Sequence, residues 1–178
     1  ILDNINTLDI GRIAMIRKNS LDPSTNVSFV IDTNPNYTNI CETDCSFCAF
    51  WRKKEHSDSY TLTVDKILEI VKTSYHNGAT TVLLQGGHNP ELRLEYYLEI
   101  IDKITSEVPN IHLHAFSAPE VFSVAKYSKI STKEVLKNFW NHGLRTIPGG
   151  GAEVLSNRVR KRISPLKIDA DNWMRITE

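Results

Sequence analysis

From Val27 onward the chain alternates between two patterns, and that alternation restricts the fold more than any other feature. Short runs of β-favouring or apolar residues, at 27–31, 79–84, 111–116 and 144–147, are separated by stretches with helical periodicity. Thr63 is placed to N-cap a helix from Val64, with Ile67, Leu68, Ile70 and Val71 inward and Asn77-Gly78 at its end. Asn89-Pro90 has the residue types of an N-cap and first helical position, before an inner face of Leu94, Tyr97, Leu98, Ile101 and Ile104. Further helices are predicted over 121–127, 132–141 and 152–163, the second closed by Gly143 and the third broken at Ser164-Pro165. Asp169 is expected to cap a last helical fragment through Trp173. Strands alternating with helices imply βαβ units and a parallel sheet, hence an α/β fold.

Right-handed crossovers bring the loops after the strands to one rim. The loops concerned are the cysteine loop that follows the first run, Gln85-Gly86-Gly87, Ser117 to Glu120, and Pro148 to Gly151. A closed (β/α)8 barrel takes about 250 residues. With 178 residues and four predicted strands, this chain reads as a partial TIM-type barrel over 27–178, about four βα units. Residues 1–26 read as a helical extension, with a short helix over 8–18 bearing Ile10, Ile13, Ala14, Met15 and Ile16, then a polar loop. Ile at position 1 is read as a start inside a longer reading frame, with the barrel completed by further chain or another subunit.

All three cysteines fall within eight residues, as Cys41-x3-Cys45-x2-Cys48. Thiolates are soft ligands suited to zinc, copper(I) or iron–sulfur clusters. Three in one loop leave a fourth coordination position open. An odd cysteine count and no secretory pattern argue against a structural disulfide. A zinc site completed by His56 and a set of inert buried thiols are the other bland readings. Lys+Arg and Asp+Glu both number 21, so no net field points to nucleic acid or an anionic membrane. No apolar run approaches the roughly 20 residues needed to span a bilayer. A reducing, cytoplasmic setting is expected.

The cysteine spacing, with Phe47 just before the last cysteine, resembles the signature loop of radical S-adenosylmethionine (SAM) enzymes. Further segments resemble the cyclic dehypoxanthinyl futalosine synthase family of that group. These are Asn36-Tyr-Thr-Asn39, Cys48-Ala-Phe50, Leu84-Gln-Gly-Gly87, Ile111-His-Leu-His-Ala-Phe-Ser117 with Pro119-Glu120, and Thr146-Ile-Pro-Gly-Gly-Gly-Ala-Glu153. Aminofutalosine synthase and the FO synthase subunits share several of them. Gln85, the triple glycine and Arg160-Lys-Arg-Ile-Ser-Pro165 favour the first family, whereas Arg145-Thr146 stands where it commonly has Asp-Ser.

The resemblance implies a radical SAM barrel in which Cys41, Cys45 and Cys48 bind a 4Fe–4S cluster whose open iron chelates SAM. It places Phe47, Phe50, Gln85, Gly86, Gly87, Ser117, Gly150 and Glu153 against the cofactors. It implies one-electron reduction by a flavodoxin or ferredoxin, cleavage of SAM to a 5′-deoxyadenosyl radical, and cyclisation of dehypoxanthine futalosine in menaquinone biosynthesis. His112 and His114, two apart on a strand, share a face with Phe116 and are expected to face the lumen. With Glu120 they are candidate proton acceptors.

Each residue also has a plainer reading: packing for Phe47, Phe50 and Trp51, and a tight turn for Gly86-Gly87. For Glu153, in an expected first helical turn, the plainer role is to offset the macrodipole. Arg158, Arg160, Lys161 and Arg162 read as a solvated helix face. A rival function of another class is a metal-stabilised half barrel that binds a partner without catalysis. Its unpaired strand edges would favour that reading.

Overall fold

A computed structural model describes residues 6–178. Its centre is a parallel sheet of β1 (Asp32–Thr33), β2 (Thr81–Leu84) and β3 (His112–Ala115), in the order β1-β2-β3. Register is fixed by Thr33 opposite Val82, and by Val82 and Leu84 opposite Leu113 and Ala115. Helices α2 (Val64–His76), α3 (Leu94–Glu107), α4 (Ala118–Ser128) and α5 (Thr132–Asn141) lie in sequence around it. α3 packs against α2, α4 and α5. α6 (Asn157–Ile163) and α7 (Ala170–Thr177) follow, and α7 packs on α4.

The sheet is thus parallel and α/β, as the alternation requires, but two of the four expected strands are reduced. The run 27–31 is not a strand: Val27, Phe29 and Val30 are exposed, and pairing begins where Thr80 N donates to Ile31 O. A strand exists only as part of a ladder, and β2 offers partners to residues 31–33 alone. The run 144–147 lies beside β3 but contributes one bridge, between His114 and Thr146. Its partner strand ends at Ala115, because Phe116 turns away with φ +61°.

That turn also overturns the expectation that Phe116 shares a face with the histidines. Phe116 is fully buried against Tyr97 (centroids 5.2 Å apart, 83°), Phe139 (5.1 Å, 41°) and Tyr37 (6.0 Å, 76°). Edge-on and tilted aromatic pairs of this kind add about 0.5–1.5 kcal/mol each beyond area burial. The cluster joins the cysteine-loop approach, α3, β3 and α5 in one core.

Helix limits follow caps more than periodicity. Thr63 caps α2 as expected, its side chain accepting from Lys66 N. Asn89, in contrast, caps only a turn; α3 starts at Leu94, and its deepest positions are Tyr97, Ile100, Ile101 and Ile104. α4 starts three residues before the expected Val121, because Ser117 and Glu120 form a capping box around Pro119. The expected helix over 152–163 is confined to Asn157–Ile163, so the triple glycine runs into irregular backbone and Glu153 has φ +39°. α7 runs past Trp173 to Thr177. α1 (Thr7–Leu21) extends both ends of the expected 8–18 helix and buries none of its side chains.

Replacing Phe116 should therefore cost about 3–5 kcal/mol, the range for truncating a core aromatic. Because φ is positive there, F116G should be at least as stable as F116A, reversing the usual order. Urea unfolding of the two variants measures both; F116A within 1 kcal/mol of the parent, on the order of a surface change, would contradict this core assignment.

Candidate active site

The cysteine loop is closed at its base by backbone bonds. Cys41 N donates to Arg52 O at 3.0 Å, and Arg52 N donates to Asn39 O at 2.7 Å. The residues before it are stapled to the segment after it. Thr38 Oγ1 donates to Tyr60 O (2.7 Å), Asn39 Nδ2 to Asp58 O (2.8 Å), and Tyr60 N to Asn39 Oδ1 (2.7 Å). Within the loop, Thr43 Oγ1 lies 3.0 Å from Cys41 Sγ and 3.7 Å from Cys45 Sγ, so these two sulfurs flank a single hydroxyl. Burial pushes the Cys45 thiol up, and the nearby Lys167 ammonium partly offsets this.

Four rim loops meet beside these sulfurs, and Glu120 makes four hydrogen bonds that join three segments, those of Tyr37, Gly86 and Ser117. Its Oε1 accepts from Tyr37 Oη (2.8 Å) and Gly86 N (3.0 Å); its Oε2 accepts from Ser117 N (2.8 Å) and Ser117 Oγ (2.5 Å). The carboxyl is 2 % exposed, and burial raises its pKa against the effect of these four donors. Both oxygens accept two hydrogen bonds each, so Glu120, expected as a proton acceptor, ties loops together in this structure.

Gly86 and Gly87 are required by protein packing. A Cβ on Gly86 would lie 2.5 Å from the Tyr37 ring, and one on Gly87 would lie 2.3 Å from Ile40 O. A Cβ on Gly150 would lie 2.4 Å from Gln85 Nε2, the movable end of a side chain, so this position is less constrained.

The result is a cavity of about 240 Å³ that Cys41, Cys45, Cys48, Phe47, Phe50, Gln85, Gly86, Gly87, Ser117, Glu120 and Glu153 all line. His112, His114 and Gly150 do not line it. Gly150 sits just behind, its carbonyl accepting from Trp173 Nε1 at 3.0 Å. The two histidines lie on the same sheet face, with ring centroids 5.9 Å apart.

Several site residues were not anticipated. His88 follows the paired glycines into the cavity wall, where burial, then the Lys167 charge, lower its pKa to about 4. Lys167 reaches the cavity from beyond α6, its Nζ 2.7 Å from Glu153 Oε1 and 5.7 Å from the Phe47 ring centroid. Arg160, expected on a solvated face, is 3 % exposed. Its guanidinium donates to the carbonyls of Ile168, Gly151, Ala152 and Val154 at 2.6–3.2 Å. It thereby fixes the two segments that carry Glu153 and Lys167. The position of His88 in a rim loop was a usable signal; for Lys167 and Arg160 no local pattern exists, since their neighbours are distant in sequence.

A sequence profile of the radical SAM superfamily matches residues 35–178. The chain belongs to the radical SAM superfamily. Among its relatives, a cyclic dehypoxanthine futalosine synthase of Halalkalibacterium halodurans is 42 % identical over 152 residues, covering 85 % of this chain and 41 % of that protein. A 5-amino-6-(D-ribitylamino)uracil–L-tyrosine 4-hydroxyphenyl transferase of Methanopyrus kandleri is 43 % identical over 150 residues, 84 % of this chain and 41 % of that protein. The enzyme of that name from Microcystis aeruginosa is 37 % identical over 182 residues, 97 % and 48 % respectively. The chain thus spans two fifths to one half of these relatives. The fold is shared with the crystal structure of the FeFe-hydrogenase maturase HydG (TM-score 0.70, 15 % identity, 98 % of this chain and 38 % of that one). It is shared also with methylornithine synthase, PylB (TM-score 0.53, 15 % identity, 82 % and 51 %).

Membership implies a 4Fe–4S cluster and SAM, and the residues fit both. The three cysteines are unbridged and open into one cavity beside glycine backbone. Among the described residues no three His, Cys, Asp or Glu side chains converge on a single metal ion. His56 lies beside Trp51, outside the residues lining the cavity, so the zinc arrangement it would complete is not assembled.

Adding a Cβ at Gly87 should displace the cysteine loop, at about 1–3 kcal/mol. At Gly149 it meets nothing within 4 Å. G87A should lower both the denaturation midpoint and the iron bound after anaerobic reconstitution, whereas G149A should change neither; equal iron in both would contradict the packing role.

His88 sets a pH dependence. Its folded pKa lies below the unfolded value, so it contributes stability above pH 6.5 that is lost as pH falls towards 4. The loss totals about 3 kcal/mol. Unfolding free energies at pH 7 and pH 4 should fall less in H88Q than in the parent; parallel falls would contradict a buried neutral imidazole.

Proposed function

We propose that this chain carries the cluster- and SAM-binding part of a radical SAM enzyme that cyclises dehypoxanthine futalosine. The observation that carries the reading is the single cavity lined by three free cysteines, Gln85 to Gly87, Ser117 and Glu153. When bound, the cluster and SAM supply the radical that begins the chemistry. The chain's own residues hold and enclose them. Cys41, Cys45 and Cys48 ligate the cluster; Phe47 shields it, and backbone near Phe50 meets the adenine of SAM. The Gln85–Gly87 backbone and Ser117 receive the polar groups of SAM, with Lys167 and Glu153 as the charged side of the cavity. His112 and His114 accept the proton that the substrate sheds. Radical SAM enzymes take small-molecule substrates and one-electron reductants; here the donor is proposed to be a flavodoxin or ferredoxin, in the cytoplasm. No helix among the described residues is long and apolar enough to cross a membrane.

Support for the futalosine substrate comes from the relative at 42 % identity, together with Gln85, Gly149 to Gly151 and the 160–165 segment. A second reading, transfer of a 4-hydroxyphenyl group from tyrosine to 5-amino-6-(D-ribitylamino)uracil, is favoured by relatives of nearly equal identity. Anaerobically reconstituted, reduced protein should give a low-temperature EPR signal of a 4Fe–4S cluster that changes on adding SAM, and C48A should lack it. Zinc without iron would support the non-catalytic half barrel instead. Product formation from dehypoxanthine futalosine, compared with that from ribitylaminouracil plus tyrosine, decides between the two substrates.

A further inference from the structure

Outside the cysteine cavity, one group of side chains on the inner face of the sheet is connected in a way that neither histidine's position alone suggests. Thr146 Oγ1 lies 2.7 Å from His114 Nδ1 and 2.9 Å from His112 Nε2. The two rings are nearly parallel, 25° apart. Backbone register places the hydroxyl there: Thr146 bridges His114 across the sheet edge, and Ala115 N donates to Thr146 O at 3.3 Å. Leu113 and Ala115 are buried on the opposite face, which commits both imidazoles to this one.

We propose that His114, Thr146 and His112 form a directed proton relay, with Thr146 as the residue that couples the two imidazoles. A hydroxyl has one proton and two lone pairs, so Thr146 can donate to one ring at most. Two directed arrangements follow. In the first, His114 Nδ1–H donates to Oγ1 and the hydroxyl donates to His112 Nε2, so both rings carry their proton on Nδ1. In the second every bond is reversed, and both rings carry it on Nε2. If both rings donated to Oγ1 the tautomers would differ and no transfer could pass through.

Starting from the first arrangement, a proton lost by a small-molecule acid bonds to His114 Nε2. The Nδ1 proton of His114 passes to Oγ1, the hydroxyl proton passes to His112 Nε2, and His112 releases its Nδ1 proton to water. One proton has then moved from substrate to solvent, and the three side chains are left uncharged in the second arrangement. Exchange of both rings with water restores the first. His112, at the start of β3, is exposed, and His114, one step from the rim end of the strand, is partly covered. Burial, and then the charge of His112, lower the pKa of His114, so at neutral pH it is a proton acceptor. Use of the relay in turnover rests on the function proposed above; its existence does not.

The test reads imidazole tautomers by long-range 1H–15N NMR on 15N-histidine-labelled chain at neutral pH, without cluster or substrate. Both rings are expected to show the same tautomer in the native chain and in T146S. His112→Asn should shift the tautomer population of His114 in those two backgrounds and leave it unchanged in T146V. Opposite tautomers in the native chain, or a His112 effect that persists in T146V, would overturn the relay. A chain that fails to bind a cluster or turn over would leave these spectra unaltered, so the two readings fail separately.

Discussion

The carboxyl group of Glu120 is the junction on which the site depends. It reaches Tyr37 before the cysteine loop, Gly86 after β2 and Ser117 at the head of α4, through four hydrogen bonds within a buried core. A buried carboxyl without partners would cost several kcal/mol, and each partner left without it would be a further unsatisfied polar group. Each of these loops is therefore held in place by the requirements of the others. The same residue is part of the capping box that starts α4. One side chain thus sets both a helix origin and the width of the cavity.

A second knot holds the far wall. Arg160 gathers carbonyls from 151, 152, 154 and 168, while Ser46 N and Oγ both donate to Ile163 O at 2.8 and 3.0 Å. The C-terminal end of α6 is in this way bonded directly to the cysteine loop. Lys167 owes its place opposite Glu153 to that arrangement. The Lys167 side chain is 11 % exposed, lines the same cavity as the three cysteines and is paired there with Glu153.

Much of this was legible in the sequence. The βαβ alternation, the rim position of the suggestive loops and the cysteine triad all follow from local patterns, because hydrophobic period and ligand spacing are local properties. Thr63, Asn77 and Gly78 end α2 where their chemistry predicts. The failures have physical causes too. Residues 27–30 are β-favouring yet unpaired, because pairing is a property of two segments. Phe116 continues an alternating pattern yet leaves it, because an aromatic pocket formed by Tyr37, Tyr97 and Phe139 draws it across the sheet. The Ser117–Glu120 box that starts α4 is a local signal too, a serine three residues before a glutamate.

The sequence by itself determined the class of fold, the C-x3-C-x2-C spacing of the three cysteines and the superfamily membership. It did so through periodicity and spacing, which survive any arrangement of the rest of the chain. Only the tertiary structure decided that Glu120 is a saturated junction, that Arg160 is buried, that Lys167 and His88 wall the cavity, and that Thr146 stands between two imidazoles. Burial and hydrogen-bond partnership arise between residues distant along the chain. They become properties of a residue only when the fold has placed its neighbours.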